Sequence, residues 1–547
     1  MFFKNRNKIW LLIFMIIWCV QILVAVYFCC QKKGFHEDEY YTYYSTARTY
    51  GLNIENNAWM EHDAYFNEFV VLEGERFQYG LVKQVQSWDV HPPVYYWVFH
   101  TIASLFPGRF SKWYGLVLNI VAFGISMVLL WILCLKVTRK NEKLSLLICF
   151  FYGFTPAVMS SVVFIRMYAL LTVFVLLCAV LHVRAVEEYK SDKLSVGKFL
   201  IPLAVVTYLG FLTQYYYFIF LFFMAVAFCV YLLWKDRNLC NCIRYAVSLA
   251  VAFVLAYLTY PACLGQMFRG QRGAQATGNF FDVSNTLMRL KFFYELMDEY
   301  VFGKALTVLV VLIGILLVYL VVMHLLPQFS SAYFILLFSI VGYFFTVSKT
   351  ALLLGETSIR YQTPIYGMVV LLIFAATYET GRRFYRYIIK RRLSDEKYSN
   401  FINRNIYNTI IVTAILLIII INVLGLGGGR VVFLYPENTD RIAFAREQSL
   451  HNTPVVYVYD ENQNWCVWDT ADELFEYDRI YFVDQGSTEA VVDLDVSESK
   501  EVVVYVSNTA QAEEQLERIM GSNTNLSNCE LLYQEKYCDV YCLYGVD

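Results

Sequence analysis

Charged side chains are scarce in this chain of 547 residues. They make up 16% of the sequence, whereas 58% of the residues are hydrophobic and the mean hydropathy is +0.46. Soluble globular domains usually carry about 25% charged and about 45–50% apolar residues. The composition therefore excludes an ordinary soluble protein and indicates a membrane protein with some polar mass.

Features that would define several other classes are also missing. The formal net charge is only -2, so the totals suggest no nucleic-acid partner. The 14 cysteines are scattered, and the pair Cys240 and Cys242 lacks a companion pair at zinc-site spacing. The sequence contains no glycine loop with nucleotide-binding spacing and no clear internal repeat. A disulfide scaffold, a zinc module and a nucleotide-binding domain are therefore not indicated.

Long apolar segments dominate the first four fifths of the chain. The first, Ile9–Cys29, has about the length that crosses a bilayer, and the basic residues before it predict a cytoplasmic N-terminus. Val94–Phe106 is short, and we interpret it as a helix at the outer membrane face. Hydropathy and basic clusters predict about eleven spans: Ile9–Cys29, Trp113–Leu135, Leu144–Val162, Met167–Val186, Phe199–Leu212, Tyr215–Trp234, Tyr245–Leu264, Ala305–Leu326, Tyr333–Val347, Thr363–Tyr378 and Thr409–Leu426.

A polar tail follows the last span. Residues 1–426 form the predicted transmembrane domain, and residues 431–547 form a predicted external soluble domain. The external loops of the membrane part are residues 31–112, 265–303 and 349–362. The predicted fold class is thus mainly α, a polytopic transmembrane helical bundle with a large first external loop and a small C-terminal α/β domain.

The tail has the local patterns of a small α/β domain. Val455–Asp460, Arg479–Gln485 and Glu501–Ser507 are short apolar runs of the kind that form buried strands. Ala510–Met520 is predicted to be a helix and Cys529–Tyr544 a terminal hairpin. Cys529, Cys538 and Cys542 could form a disulfide if the compartment oxidises.

The first external loop combines acidic residues with aromatic rings beside a membrane. Near its start, residues 37–39 are three acids that precede several tyrosines, and near its end Asp89 and His91 precede two prolines. Carboxylates and a histidine at membrane depth are costly unless they have a task or partners. The residues alone fit two interpretations, a catalytic carboxylate or a solvated helix start, because acids favour the first turn of a helix.

The two ends of this loop resemble the GT-C glycosyltransferases. The similar branch holds the protein O-mannosyltransferases and the aminoarabinose transferase that modifies lipid A. Its acidic pair after the first membrane helix is matched by Asp38 and Glu39, and its Asp-x-His-Pro-Pro-like element is matched by residues 89–93. The resemblance covers residues 9–378 and implies transfer of a sugar from a polyprenyl-phosphate carrier to a hydroxyl acceptor on the external face, with inversion.

The resemblance also implies roles for individual positions. The family's acidic pair contains the catalytic aspartate, so Asp38 is the expected general base and Glu39 an acceptor-orienting or supporting carboxylate. The expected donor-phosphate ligands are His91, Arg166, Arg360 and Tyr361. The expected substrate-orienting residues are Asp89, Tyr168, Gln214 and Tyr215, of which Gln214 stands where the family frequently has histidine.

Simpler explanations exist for some of these residues. His91 could orient a turn, Arg166 could reach lipid headgroups, and Tyr215 could be an interface aromatic. The loop 265–303 could be a mobile cover over the substrates or a plain connector.

Cofactors and substrates are only partly defined by the sequence. Asp38, Glu39 and Asp89 could bind a divalent cation, whereas Arg360 and His91 could neutralise phosphate without one. No other cofactor is indicated. The expected partners are a polyprenyl-phosphate sugar, membrane lipids and a hydroxyl-bearing acceptor, which could be a protein, a glycan or a lipid. The basic inner loops suit a bacterial plasma membrane, and an endoplasmic reticulum protein would look similar.

Two other classes of function compete with the transferase. A lipid or sugar transporter or flippase would show paired repeats and helices broken at mid-membrane. A non-catalytic scaffold whose external domain binds a partner would tolerate replacement of the acids in the first loop.

Overall fold

Helices dominate the computed structural model, which describes residues 5–47, 54–189, 193–237, 239–268, 270–392, 413, 416–487, 496 and 499–545. In chain order the helices are α1 (Asn5–Gln31), α2 (Glu37–Ala47), α3 (His62–Phe66), α4 (Tyr79–Trp88), α5 (Val94–Ala103), α6 (Trp113–Val137), α7 (Glu142–Gly153), α8 (Pro156–Val163), α9 (Tyr168–Glu188), α10 (Ile201–Phe211), α11 (Tyr216–Asp236), α12 (Leu239–Thr259), α13 (Ala262–Phe268), α14 (Gln271–Phe281), α15 (Thr286–Tyr300), α16 (Leu306–Val322), α17 (Ser331–Thr350), α18 (Thr363–Arg392), α19 (Leu416–Gly427), α20 (Asn438–Leu450), α21 (Ala471–Leu474) and α22 (Ala512–Ser522).

Six strands accompany these helices. They are β1 (Ala58–Glu61), β2 (Val455–Tyr459), β3 (Arg479–Asp484), β4 (Glu501–Ser507), β5 (Asn528–Gln534) and β6 (Cys538–Tyr544). The mainly helical fold class with a small C-terminal sheet is therefore confirmed. The predicted tail strands, the tail helix and the terminal hairpin are all present within a few residues of their expected bounds.

The chain splits into two compact units, which are described separately. The first, here called the helical unit, contains Met1–Cys30, Gln86–Tyr95 and Gly115–Val432. The second, here called the sheet unit, contains Gln31–Val85, Tyr96–Tyr114 and Phe433–Asp547. The sheet unit therefore combines the polar tail with most of the first loop.

Seven helices in the described part of the chain are long and apolar enough to cross a membrane. They are α6, α9, α12 and α17 together with most of α1, α11 and α18. The helices α7 and α8 could form an eighth span, bent by 56°, and three shorter apolar helices cover Val196–Phe211, Leu306–Val322 and Leu416–Gly427. The chain is thus an integral multi-pass protein. The count of about eleven spans stays a prediction, and residues 409–412, 414 and 415 of the predicted span Thr409–Leu426 lie outside the described residues.

Proline explains two departures from the predicted helices. Pro156 starts α8 directly after α7, since a residue without a backbone N–H fits the first turn of a helix better than its middle. Pro261 separates α12 from α13, so the helix predicted over Tyr245–Leu264 ends at Thr259. The same helix starts at Leu239, before the predicted start.

Polar side chains tie the helices of the helical unit together. Gln21 on α1 donates to the carbonyl of Cys149 on α7 at 2.9 Å, and a Cβ at the facing Gly153 would lie only 2.2 Å from the Gln21 amide. Asn119 on α6 donates to the carbonyl of Phe164 at 2.6 Å. Such bonds stabilise helix contacts where apolar burial alone gives little preference. The bond from Asn119 fixes the backbone that follows α8.

The predicted external loop 265–303 contains helices rather than an irregular connector. Lys349, at the end of α17, is buried and donates to the Asp282 carbonyl at 2.5 Å and to the Thr286 hydroxyl at 2.9 Å. Arg289 on α15 donates to the carbonyls of Ser348, at 2.9 Å, and Ala351. These contacts anchor the short segment that leads from α17 to Arg360.

The sheet unit is built on one six-stranded sheet with the order β1-β3-β2-β4-β6-β5. The pairs β2–β3 and β2–β4 are parallel, and the other pairs are antiparallel. Alternate valines of the central strands pack with α22 in a buried core. The edge strand β1 comes from the first loop and pairs Trp59 with Tyr481. Cys529, Cys538 and Cys542 are free thiols.

Candidate functional site

A hydrogen-bonded pair of side chains lies in the turn between α4 and α5, in the helical unit. The Nδ1 atom of His91 lies 3.1 Å from Oδ2 of Asp89, whose side chain is about one third exposed, at 32%. Burial by itself would raise the pKa of Asp89, but the charges of His91 and Arg166 and the hydrogen bond to His91 outweigh it, so the pKa lies below its ordinary value. Asp89 is therefore an anion at neutral pH in contact with Nδ1 of the imidazole.

Arg166 approaches the same imidazole from the segment between α8 and α9. Its Nη2 atom lies 3.4 Å from both ring nitrogens of His91, and the residue is only 3% exposed. Because this atom is equidistant from the two ring nitrogens, it lies over the face of the imidazole, so the guanidinium stacks on the ring and leaves the in-plane positions of its nitrogens to other partners. This contact places a permanent positive charge beside the Asp89–His91 pair.

The segment Phe164–Tyr168, here called the α8–α9 junction, also contacts the second predicted arginine. The Arg360 guanidinium lies over the ring of Phe164, 5.2 Å from its centroid, and donates to the Tyr361 hydroxyl at 3.1 Å. The rings of Tyr168 and Tyr361 meet edge to face at 5.8 Å. One short break between two helices thus gathers both arginines with His91, and aromatic faces favour a guanidinium there.

Gln214 and Tyr215 lie behind this group. Gln214 is buried and accepts from the backbone N–H of Tyr215 at 2.5 Å. The Tyr215 hydroxyl donates to Oε1 of Gln266 at 2.5 Å, and Nε2 of Gln266 donates to the carbonyls of Gln86 and Asp89 at 2.7 and 2.6 Å. Tyr215 therefore supports the turn that carries Asp89 through Gln266. The side-chain oxygen of Gln214 thus bonds to the local backbone.

Asp38 and Glu39 belong to the sheet unit, where α2 begins. Its three acids have different partners. Glu37 pairs with Lys536 at 2.7 Å, Asp38 lies 3.7 Å from Nδ1 of His36, and Glu39 pairs with Lys32 at 2.9 Å. The exposed fractions of the three acidic side chains are 16%, 27% and 0%. Asp38 is therefore the most accessible acid of the three.

Glu39 caps the helix that presents Asp38. Its Oε2 atom accepts from the backbone N–H of His36 at 2.7 Å, while Nδ1 of His36 accepts from the backbone N–H of Asp38 at 3.1 Å. This reciprocal pattern satisfies N–H groups that a helix start leaves unbonded. Lys32 also donates to the carbonyl of Phe433 at 2.7 Å. Glu39 is thus built into the structure of the loop.

The described part of the chain contains no preformed cluster of side chains for a metal cation. No three His, Cys, Asp or Glu side chains among those residues are placed so that they could hold one metal ion. The positive charge that could meet a phosphate in the helical unit comes from Arg166 and Arg360, both 3–4% exposed.

Some contacts of the site could not be anticipated from the sequence. Gln266 lies in a polar stretch without a motif, and Lys32 lies in a basic pair of the type that commonly faces solvent. Their contacts depend on residues far away in the chain, 177 residues for Gln266 with Asp89 and 401 residues for Lys32 with Phe433. Arg166, in contrast, is indicated by the sequence itself, because an arginine that interrupts an apolar stretch needs a partner, whereas Arg360 is indicated by the family resemblance.

The chain combines a multi-pass helical unit, a small sheet unit and buried arginines, one of which contacts a histidine–carboxylate pair. The chain has the fold of the GT-C membrane glycosyltransferases, and it resembles the branch that contains ArnT and the protein mannosyltransferases, as the motifs predicted.

Comparison with known proteins gives the following matches. Residues 90–260 match the family described as dolichyl-phosphate-mannose-protein mannosyltransferase. Crystal structures of ArnT from Cupriavidus metallidurans match with 11% sequence identity over 98% of both chains, with TM-scores of 0.51 in the apo state and 0.50 with undecaprenyl phosphate bound. The oligosaccharyltransferase AglB from Archaeoglobus fulgidus, in complex with an inhibitory peptide and a dolichol-phosphate, matches with a TM-score of 0.46 and 11% identity, over 92% of this chain and 70% of AglB. No curated protein matches by sequence.

Proposed function

We propose that this chain is a membrane glycosyltransferase that moves a sugar from a polyprenyl-phosphate carrier to a hydroxyl acceptor, with inversion at the anomeric carbon. The observation that carries the proposal is the gathering of Arg166, Arg360 and His91 around the α8–α9 junction of the helical unit. Two lines of similarity support it. ArnT, whose fold the chain shares, has been crystallised with undecaprenyl phosphate, and the matched family is described as using dolichyl-phosphate-mannose.

The donor phosphate would be bound by the helical unit. Guanidinium groups suit phosphate because they are planar, always charged and able to donate two parallel hydrogen bonds. Arg360 and Arg166 would neutralise the phosphate, and His91 would donate from a ring nitrogen that Asp89 orients. The Tyr361 hydroxyl would help to position the phosphate oxygen. Tyr168, packed against Tyr361, would hold that ring in place.

The transfer itself would be a single displacement. Asp38 takes the proton from the acceptor hydroxyl, and the acceptor oxygen forms a bond to the anomeric carbon of the sugar. The bond between that carbon and the carrier phosphate oxygen breaks, and the electron pair leaves with the polyprenyl phosphate. Since the oxygen attacks opposite the leaving group, the configuration inverts. Glu39 would hold α2 so that Asp38 stays accessible.

The location of the reaction follows from the charge pattern of the loops. Basic residues cluster after Leu135, Trp234 and Tyr378, which places these ends in the cytoplasm by the positive-inside rule. The first loop and the C-terminal tail would then be external, and the N-terminus cytoplasmic. The acceptor would be a hydroxyl group of a protein, a glycan or a lipid on that side of the membrane.

Replacement of Asp38 by asparagine tests this mechanism. Purified wild-type protein would be incubated with radiolabelled polyprenyl-phosphate sugars, with and without candidate acceptors, and compared with Asp38→Asn. Loss of a general base should reduce turnover roughly a hundredfold or more while the donor still binds. Asp63→Asn, an exposed acid of the same loop, is the matched control and should keep full activity.

Other outcomes of this experiment would change the assignment. Equal turnover in wild type and Asp38→Asn would remove the base role from Asp38. An absence of turnover with every donor, together with movement of labelled lipid across liposome membranes, would favour the transporter. If donor turnover and lipid movement are both absent, a scaffold becomes the better interpretation.

A further inference from the structure

The tip of the terminal hairpin contacts the acidic start of α2. Lys536 and Tyr537 form the turn between β5 and β6, and they lie about 500 residues after Glu37 in the sequence. The Lys536 ammonium donates to Oε2 of Glu37 at 2.7 Å, and the Tyr537 hydroxyl donates to Oε1 at 3.1 Å. Both oxygens of one carboxylate are therefore held by one turn, and that carboxylate directly precedes Asp38.

The hairpin tip is itself fixed to the sheet. The backbone N–H of Asn508, just after β4, donates to the Tyr537 carbonyl at 2.9 Å, and its side chain donates to the Lys536 carbonyl at 2.9 Å. The Lys536 ammonium also lies over the ring of Tyr537, 4.3 Å from its centroid. The tip is thus a fixed support for α2.

The charges around Glu37 show why Lys536 matters. His36 lies 4.0 Å from Glu37, and burial followed by the charge of Glu37 raises the pKa of Asp469 to about 7. Burial, with smaller contributions from Asp469 and Glu37, raises the pKa of the Cys466 thiol. Burial would lower the pKa of Lys536, but its hydrogen bonds to Glu37 and Tyr537 outweigh this effect and raise it. Lys536 is therefore a full cation that balances Glu37.

We propose that Lys536 and Tyr537 are positioning residues for the general base, because they hold Glu37 and neutralise its charge beside Asp38. This inference rests on the proposed function, in which Asp38 must be ionised to accept a proton. Without Lys536, Glu37 would lose its ammonium partner and keep the Tyr537 hydroxyl and the His36 imidazole as contacts, so more of its negative charge would act on Asp38. A like charge disfavours the ionised form of a neighbouring carboxylate, so Asp38 would become protonated at a higher pH.

The test is the pH dependence of sugar transfer by the full-length protein. In Lys536→Met, the acid limb of the kcat profile should move upward by about half to one pH unit, with most of the activity retained at high pH. The double variant Glu37→Gln/Lys536→Met should restore the limb to its wild-type position, because it removes the charge of Glu37 as well. Tyr537→Phe, which keeps the cation, should shift the limb less than Lys536→Met.

A matched control separates charge from stability. Arg446→Met breaks the ion pair with Glu476, 2.8 Å long and in the same unit, and should leave the limb unmoved. A uniform loss of activity in Lys536→Met at every pH, or a shift that persists in the double variant, would overturn the inference. If the wild-type protein shows no sugar transfer, the proposed function fails. If transfer depends on Asp38 but the acid limb of Lys536→Met does not move, only the role of the hairpin tip is refuted.

Discussion

Arg166 and His91 are 75 residues apart in the sequence and meet in the helical unit, where the guanidinium lies 3.4 Å from both nitrogens of the imidazole. The imidazole is held on its other side by Asp89. A permanent cation, a titratable ring and an anion thus form a continuous series. In such a series the arginine cannot be replaced by a lysine without loss of its planar geometry.

Replacement of Arg166 should weaken donor binding. Hydrogen bonds to charged groups contribute about 1.5–3 kcal/mol, so we expect Arg166→Met to raise the KM for the donor roughly 10- to 100-fold, and Arg166→Lys to recover only part of this loss. Arg184→Met is the control, since Arg184 lies on α9, the helix that follows Arg166, and pairs with Glu188 in an exposed position. Unchanged donor affinity in Arg166→Met would remove Arg166 from the phosphate site.

Gln266 should matter for substrate affinity although it carries no charge. Gln266→Leu removes its hydrogen bonds to the carbonyls of Gln86 and Asp89, and buried carbonyls left unsatisfied cost about 1–3 kcal/mol. The turn that holds Asp89 should loosen, and we expect the donor KM to rise by roughly tenfold. Gln275→Leu, on exposed α14 surface, is the control. A variant Gln266→Leu with wild-type kinetics would show that the turn is fixed by other contacts.

The buried pair of Lys32 and Glu39 should contribute strongly to the stability of the sheet unit. Both side chains are fully buried, so Glu39→Gln leaves an ammonium without its anion and should cost about 3–5 kcal/mol. The double variant Lys32→Met/Glu39→Gln should recover most of that loss, because the isolated charge is gone. Thermal unfolding in detergent measures both. Glu476→Gln, from an exposed pair, should cost no more than about 1 kcal/mol.

Asp469 should make the stability of the sheet unit depend on pH. Burial, with the charge of Glu37 as a smaller cause, raises its pKa from 3.8 to about 7. Because the folded state holds the proton more tightly than the unfolded state, the stabilising contribution of Asp469 is complete below about pH 4 and is lost as the pH rises through about 7.

The difference between wild type and Asp469→Asn isolates this effect from the other titrating groups. The melting temperature of Asp469→Asn relative to wild type should increase between about pH 4 and pH 7, since the variant does not ionise. The difference in melting temperature between Asp63→Asn and wild type should stay constant over the same pH range. A constant difference for Asp469→Asn would show that Asp469 titrates at its ordinary pKa.

Local patterns account for what the sequence predicted well. The apolar segments around Trp113–Val137 and Tyr216–Asp236, and the valine-rich strands of the tail, are defined by neighbours within a few residues. Pro261 moved the end of one predicted span by little more than a turn, whereas Pro156 divided another into the two helices α7 and α8. Arg166 stands out in the sequence because a charge that interrupts an apolar stretch needs a partner, whereas Arg360 is indicated by the family resemblance of its Arg-Tyr pair before a proline.

Long-range contacts account for what the sequence did not predict. Ala58–Glu61 has little β pattern of its own, and it becomes a strand because β3 offers an open edge. The cap that Glu39 forms with His36 uses a histidine in place of the usual serine or threonine. The support of Glu37 by Lys536 joins opposite ends of the sequence. None of these contacts leaves a periodic signal.

The pairing of β1 with β3 sets an order of events during synthesis. His62, directly after β1, contacts Tyr477, two residues before β3, although 415 residues separate them. At about 5–20 residues per second, the first loop waits roughly 20–80 seconds for the strand that completes it. During that interval its edge is open to chaperones and proteases. The loop that carries Asp38 therefore reaches its native pairing only near the end of translation, and an interrupted chain would lack it.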